Sequence, residues 1–162
     1  MILRENDIKI DELEVAIMNE LQLVDLPLVH RFTKGMYSRE MQLKAGTLLT
    51  SKIHKTQHLF TISKGKIAIS IDAKDWKLLE APFTGITEPN TRRIGYCIED
   101  CVWTTYHSLK FIHGNEGGYD EEKLRALLEK IEGNILEKRI NQISGTDINK
   151  EYKKKLDNIK KL

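Results

Sequence analysis

The fold is decided by residues 46–65, which read GTLLTSKIHKTQHLFTISKG. Apolar and β-branched residues fill both halves, and a short polar break separates them, so the stretch predicts two neighbouring strands. Lys52 and His54 are two residues apart and would face the same side of a strand, and His58 begins the second run. Since paired strands lie about 4.8 Å apart, the two imidazoles can reach one point, at about 2.0–2.1 Å from a zinc-like ion.

Strand signals continue on both sides of this stretch, from about Leu28 to His107. The alternating, β-branched or apolar runs lie at 37–43, 47–54, 59–62, 67–71, 76–80, 92–98 and 101–106. Turn residues rich in Gly, Pro, Asp and Lys separate them. Short strands with turns at roughly every 8–12 residues are typical of a β-sandwich or a barrel.

Helical patterns flank the strands. Asp11 is placed to cap a helix over 11–22, with Glu14 completing a capping box. After 117–118, apolar residues recur at helical spacing, and a lysine-rich segment at 149–162 is a further candidate helix. The chain is therefore divided into an N-terminal helical segment at 1–27, a barrel at 28–116 and a C-terminal helical extension at 117–162.

Composition excludes several classes of function. The 162 residues suit one domain, and a net charge of +2 is too small to predict nucleic-acid binding. The sequence has no signal-peptide core and no apolar run near the roughly 18 residues that a membrane span needs, which predicts a cytoplasmic protein without a membrane partner. Cys97 and Cys101 form no CxxC pair and are predicted to be free thiols, with a disulfide across a turn as the alternative.

Basic residues follow the predicted inner face of the barrel. Arg39 alternates with apolar neighbours, and of the adjacent pair Arg92 and Arg93 only one can face inward, which leaves the other as a surface charge. Guanidinium groups are suited to carboxylate and phosphate, so an inward set of this kind predicts a cationic cavity for a small anionic ligand. The predicted ligand-binding residues are Lys52, His54, His58, Arg39 and Arg93.

The spacing of the first stretch resembles the first cupin motif, G-x5-H-x-H-x3,4-E-x6-G. Gly46 and Gly65 fall on its two glycines and His54 on its second histidine. Lys52 stands in place of the first histidine, and His58 stands in place of the glutamate. The resemblance implies an RmlC-like jelly-roll barrel: mainly β, with a metal or ligand site inside.

The second cupin motif, P-x-G-x2-H-x3-N, is more weakly matched. Pro89 begins it, but Ile94 occupies the position of the metal-binding histidine. The standard four-ligand set is therefore incomplete. The remaining candidate ligands are His54, His58 and His107, for zinc, iron, manganese or nickel, or for no metal at all.

Longer blocks resemble cupin-like proteins of tailed bacteriophages and prophages. They are HRFTKGMYSREMQLKAGTLLTSKIHKTQH at 30–58, APFTGITEPNTRR at 81–93 and EDCVWTTYH at 99–107. The resemblance implies a viral setting, with the protein in the host cytoplasm, and no settled activity.

Three functions follow as hypotheses. The first is a binding module that holds a small anionic ligand, such as a nucleotide-type signal of host defence, without turning it over. The second is a metal-dependent cupin enzyme, an isomerase or a dioxygenase. The third is a structural or assembly protein of the virus particle. A homo-oligomer is expected in each case, because cupins often pair through edge strands.

Overall fold

The computed structural model describes residues 5–21, 24, 26–110 and 121–135. In chain order the elements are α1 Glu5–Glu20, β1 Leu28–Thr33, β2 Met36–Leu43, β3 Leu48–Thr50, β4 His58–Lys64, β5 Lys66–Ser70, β6 Lys77–Glu80, β7 Phe83–Thr87, β8 Ile94–Cys97, β9 Cys101–Ser108 and α2 Glu121–Ile135. The candidate helix at 149–162 lies outside the described residues.

The strands form two antiparallel sheets that face each other. One has the order β1-β2-β9-β4-β7 and the other the order β3-β8-β5-β6. From β2 to β9 the chain crosses repeatedly between β2-β9-β4-β7 in one sheet and β3-β8-β5-β6 in the other, and β5 and β6 form a hairpin within the second sheet. This is the eight-strand, double-sheet arrangement of a jelly roll. The predicted mainly β class is confirmed, with β1 as an additional edge strand and a helix on either side of the strand region.

Strand β7 is absent from the strands predicted from the sequence. Its residues FTGIT lie between two prolines and contain Gly85, a combination that is typical of a loop. The glycine is required by packing, because a Cβ at this position would lie 2.6 Å from the ring of Phe60 on the neighbouring strand. A close approach of a large ring to the backbone therefore explains a residue that otherwise weakens a strand.

The main core fills the space between the sheets. Its buried members are Leu43, Phe60, Ile62, Ile67, Leu79, Cys97, Cys101 and Trp103. The rings of Phe60 and Trp103 stack with centroids 4.5 Å apart. Both cysteines are free, as predicted, and burial raises the pKa of the Cys97 thiol to about 12.

Helix α1 corrects two predictions. It already includes Glu5, so Asp11 is an interior residue of the helix and not its cap. The Asp11 carboxylate instead pairs with Arg92, whose second terminal nitrogen lies 2.7 Å from Glu14. Arg92 was predicted to be a surface charge, but only 6% of the residue is exposed. A buried guanidinium needs such partners, because removing an unpaired charge from water is costly.

The first-motif glycine at position 65 has a structural role. Gly65 has a φ of 83°, and a Cβ there would lie 2.1 Å from the carbonyl oxygen of Asp100. The Asp100 carboxylate accepts hydrogen bonds from the Ala45 amide at 2.9 Å and from the Lys44 ammonium at 3.0 Å. These contacts hold the β2–β3 turn against the β8–β9 turn.

Helix α2 packs against the five-stranded sheet. Ile131 is fully buried with Tyr37 and Leu109, and Leu127 and Leu128 are partly buried beside them. None of the helices that the structure describes is long and apolar enough to cross a bilayer.

Candidate functional site

A cavity of about 210 Å³ lies between the two sheets. Part of its wall is apolar and contains Met41, Leu49, Ile67, Ile69 and Trp103. Another part is polar and contains Arg39, His54, His58, Thr87, Arg93 and Thr105. The cavity can therefore receive a molecule with an apolar body and a charged or hydrogen-bonding group.

The polar wall is built by strands of the five-stranded sheet together with the segment after β3. His58 on β4 is the cross-strand partner of Thr87 on β7. His54 is held by backbone hydrogen bonds, since its amide donates to Thr91 at 3.4 Å and its carbonyl accepts from Asn90 at 2.7 Å. These bonds fix His54 against the turn that precedes β8.

Three predicted metal-ligand residues are brought together in this region. The ring centroids of His54 and His58 are 4.4 Å apart, and those of His58 and His107 are 4.5 Å apart. His54 and His107 are 6.1 Å apart with nearly parallel planes. His58 thus lies between the other two rings, and the three residues are referred to below as the histidine cluster.

The histidine cluster is uncharged at neutral pH. Burial lowers the pKa of His54 to about 3, and His58 when it is protonated, Arg39 and Arg93 act in the same direction. Burial, with His58 and Arg39, also lowers the pKa of His107 to about 3. The pKa of His58 is lowered by burial as well, although a hydrogen bond to the Thr56 carbonyl opposes the shift.

Several buried nitrogens of residues that line the cavity, and one of the neighbouring His107, have no hydrogen-bond partner among the described residues. They are both ring nitrogens of His54, Nδ1 of His107 and Nε of Arg39. A backbone group of Lys52 opposes the pKa shift of His54, but neither ring nitrogen makes a hydrogen bond of ordinary geometry. Buried polar groups are nearly always satisfied in folded proteins, so these atoms mark a place where a ligand or a water can bind.

The two arginines at the cavity are held differently. Arg93 donates to the Thr87 hydroxyl at 2.9 Å, and its guanidinium lies 5.3 Å from the centroid of the Phe60 ring. Burial lowers the pKa of Arg93, but a guanidinium stays protonated in proteins. Arg39 faces Glu132 of α2, and its Nη1 atom lies 3.7 Å from Oε1 of the Glu132 carboxylate. Among the described residues, Arg93 has no carboxylate partner, so the site carries an excess of positive charge.

Lys52 occupies a different position from the one the sequence predicts. Strand β3 ends at Thr50, so Lys52 and His54 do not share the face of a regular strand. Lys52 is exposed at the edge of the cavity, whereas His54 is buried inside it. The strand predicted over 47–54 therefore ends early, at Thr50, and both residues still contribute to the cavity wall.

A resident metal ion does not fit the site as it stands. Within the described ranges, no group of three or more His, Cys, Asp or Glu side chains is arranged to hold a metal ion. The rings of the histidine cluster pack against one another with tilted planes, and the guanidinium groups of Arg39 and Arg93 oppose the approach of a cation. Ile94 fills the position of the second-motif histidine and is buried.

Two residues of the site, Thr87 and Glu132, could not be identified from the sequence. Thr87 belongs to the strand that the sequence does not reveal. Glu132 is an acid on an amphipathic helix, and such residues usually face water. Its place at the cavity depends on how α2 packs, which no local pattern indicates.

No family model and no curated protein matches this chain. Among solved structures, the Cupin_2 domain of an XRE family transcriptional regulator from Enterobacter cloacae is 12% identical, with a TM-score of 0.43 over 50% of this chain and 93% of that one. A cupin superfamily protein from Desulfitobacterium hafniense is 9% identical, with a TM-score of 0.45 over 59% and 88%. An HTH_3 family transcriptional regulator from Vibrio cholerae is 14% identical, with a TM-score of 0.42, and the match covers 50% of this chain and 49% of the regulator.

These similarities are too distant to carry an inference about activity. The jelly-roll assignment rests on the strand order of this chain.

Proposed function

We propose that the cavity binds a small organic anion and that the protein acts as a binding module. The observation that supports this most directly is that one cavity is lined by two guanidinium groups, Arg39 and Arg93, and by His54, whose two buried ring nitrogens have no hydrogen-bond partner among the described residues. An anion would provide the missing acceptor and balance the positive charge. A carboxylate or a phosphate matches the planar donor geometry of arginine.

The cavity wall suggests how such a ligand is oriented. Its anionic group would lie between Arg39 and Arg93. The uncharged rings of His54 and His58, which line the cavity, can each donate or accept a hydrogen bond, so they suit polar atoms next to that group. Met41 and Trp103, on the apolar wall, would contact the carbon body of the ligand.

Cavity size restricts the ligand further. About 210 Å³ is less than the roughly 300–1,000 Å³ of typical drug-sized sites, which favours a compact carboxylate or phosphorylated compound over a nucleotide. The nucleotide-type ligand stays a prediction from the viral setting and from Lys52, Arg39 and Arg93. The viral setting stays a prediction from the resemblance.

The test is a binding screen with matched arginine variants. Small carboxylates and phosphorylated compounds are titrated into the purified protein by calorimetry, and into the variants Arg39→Met and Arg93→Met. Methionine keeps an apolar stem while removing the charge. Loss of one charge-assisted contact is expected to weaken binding about 10- to 100-fold. Arg31→Met is the control, because Arg31 is exposed and pairs with Glu40 outside the cavity.

Two results would contradict the proposal. One is that none of the anions binds, and the other is that the cavity variants bind as tightly as the Arg31 control. Stoichiometric zinc, iron, manganese or nickel in the purified protein, lost on His54→Ala, would favour the metal-dependent enzyme instead. Detection of the chain in purified virus particles by mass spectrometry would favour the structural alternative.

The predicted homo-oligomer stays a prediction. Light scattering measures the mass in solution and tests it directly.

A further inference from the structure

Helix α2 brings a carboxylate to the cationic part of the cavity. Glu132 contributes to the cavity wall and is the one acid there among the residues that the structure describes. The Oε1 atom of Glu132 lies 3.7 Å from Nη1 of Arg39. The Arg39 guanidinium is one of the two groups proposed above to bind an anionic ligand. A ligand carboxylate and Glu132 would therefore compete for the same guanidinium.

The contact between Arg39 and Glu132 is loose. In a charge-assisted N–H···O bond the nitrogen and oxygen are normally about 2.7–2.9 Å apart, whereas the Arg39–Glu132 distance is 3.7 Å. The Glu132 side chain is 48% exposed, and Nε of Arg39 stays without a partner. By contrast, the buried Arg92 approaches the partly buried Glu14 to 2.7 Å. Glu132 thus offsets the charge of Arg39 without satisfying its hydrogen-bond donors.

The α2 side chains that the structure describes make only a small apolar contact with the sheet. Ile131 is the fully buried apolar side chain that the described part of the helix contributes, and Leu127 and Leu128 are only partly buried. Elements with few buried apolar contacts open locally at low free-energy cost. The helix can therefore move away from the cavity while the sheets stay folded.

We infer that Glu132 is an internal competitor of the ligand and that α2 acts as a gate, which an anion displaces when it binds Arg39. This inference rests on the proposed anion-binding function and adds its regulation. In the free protein the carboxylate partly neutralises the cavity. In the bound protein the ligand takes its place, and the end of α2 that carries Glu132 moves outward.

The gate is tested with benzoate and inorganic phosphate as probes, one with an apolar body and one without. Affinities are measured by NMR titration for the wild type, for Glu132→Gln and for Ile131→Ala. Removing the competing charge is expected to tighten binding about two- to five-fold, the range that a half-exposed ion pair provides. Loosening the helix in Ile131→Ala is expected to act in the same direction. Glu129→Gln, the same change at an exposed position of α2, is the matched control and is expected to change nothing.

Hydrogen exchange supplies a second measurement that does not depend on the variants. Saturating benzoate is expected to speed the exchange of α2 amides in the wild type while amides of β4 and β9 stay protected.

The outcomes separate the gate from the function on which it rests. Equal affinity of the wild type and Glu132→Gln, or weaker binding by Glu132→Gln, would refute the gate and leave anion binding intact. Slower exchange of α2 on adding benzoate would refute it as well. Absence of probe binding in all the proteins, Glu132→Gln included, would refute the binding function and the gate together.

Discussion

Lowering the pH from 7 to 5 is expected to destabilise this protein, because His54 and His107 are buried as neutral rings. Burial lowers the pKa of both to about 3, whereas a histidine in an unfolded chain has a pKa of about 6.5. Between these values the unfolded state binds protons that the folded state does not bind. The free energy of unfolding therefore falls as the pH falls below about 6.5, and it is unaffected above that value.

The size of the effect follows from the two pKa values. Each of the two rings is expected to remove about 2 kcal/mol from the free energy of unfolding between pH 7 and pH 5. Together they remove about 4 kcal/mol, a large share of the roughly 5–15 kcal/mol that stabilises a typical domain. The lowered pKa of His58 acts in the same direction. The lowered carboxylate pKa values of Asp72 and Asp100 act below their ordinary value of 3.8, outside this window.

Urea unfolding at pH 7, 6 and 5 measures the effect. The matched protein is the double variant His54→Gln/His107→Gln, in which neither position titrates. Each histidine is expected to contribute a slope of about 1.4 kcal/mol per pH unit at pH 5, so the double variant should lose most of the pH dependence. Equal unfolding free energies at pH 5 and pH 7 in the wild type would refute the reasoning. An unchanged slope in the double variant would do the same.

Three further changes test the structure away from the cavity. Asp11→Ala leaves the buried Arg92 with one carboxylate fewer and is expected to lower the free energy of unfolding by about 3 kcal/mol in urea titrations. Gly65→Ala is expected to lower the melting temperature far more than Gly35→Ala; both glycines have a positive φ, but only at Gly65 would a Cβ meet backbone atoms. The Cys97 thiol, whose pKa burial raises to about 12, is expected to react with a disulfide reagent at pH 8 only after urea is added.

Each of these three predictions would be contradicted by a specific result. A loss below about 1 kcal/mol for Asp11→Ala would mean that the pair is solvated like a surface salt bridge. Matching melting temperatures for the two glycine variants would contradict the close approach of the Asp100 carbonyl. Rapid labelling of Cys97 in the native protein would contradict its burial.

Much of the barrel follows from local pattern. Strands β2 and β9 have eight residues each, and the sequence predicts both, β2 from its alternating apolar and polar residues and β9 from its β-branched and aromatic residues. Strand β7 could not be predicted, because Gly85 is explained only by the ring of Phe60 on the adjacent strand. Local propensity describes a residue alone, whereas this position is decided by a neighbour that is distant in sequence.

The site was predictable in part for the same reason. The cupin-like spacing placed His54 and His58 near one another, and the adjacency of Arg92 and Arg93 correctly required that only one face the cavity. The alternation of side chains along a strand could not show that Arg92 is buried, since its partner Asp11 is 81 positions away in the sequence. Nor could it show that Lys52 leaves the strand and becomes exposed, which follows from the early end of β3 at Thr50.

The adjacent residues Arg92 and Arg93 connect two parts of the protein that the sequence separates. Arg92 forms ion pairs with Asp11 and Glu14 of α1, whereas Arg93 lines the cavity. The two residues are adjacent, and one short piece of backbone therefore carries both contacts. In a shortened chain that starts at Leu28, Arg92 would lose its carboxylate partners Asp11 and Glu14. Ile94 would lose the α1 side chains with which it is packed. Because Arg92 pairs with Asp11 and Glu14, α1 also helps to fix the backbone that carries Arg93.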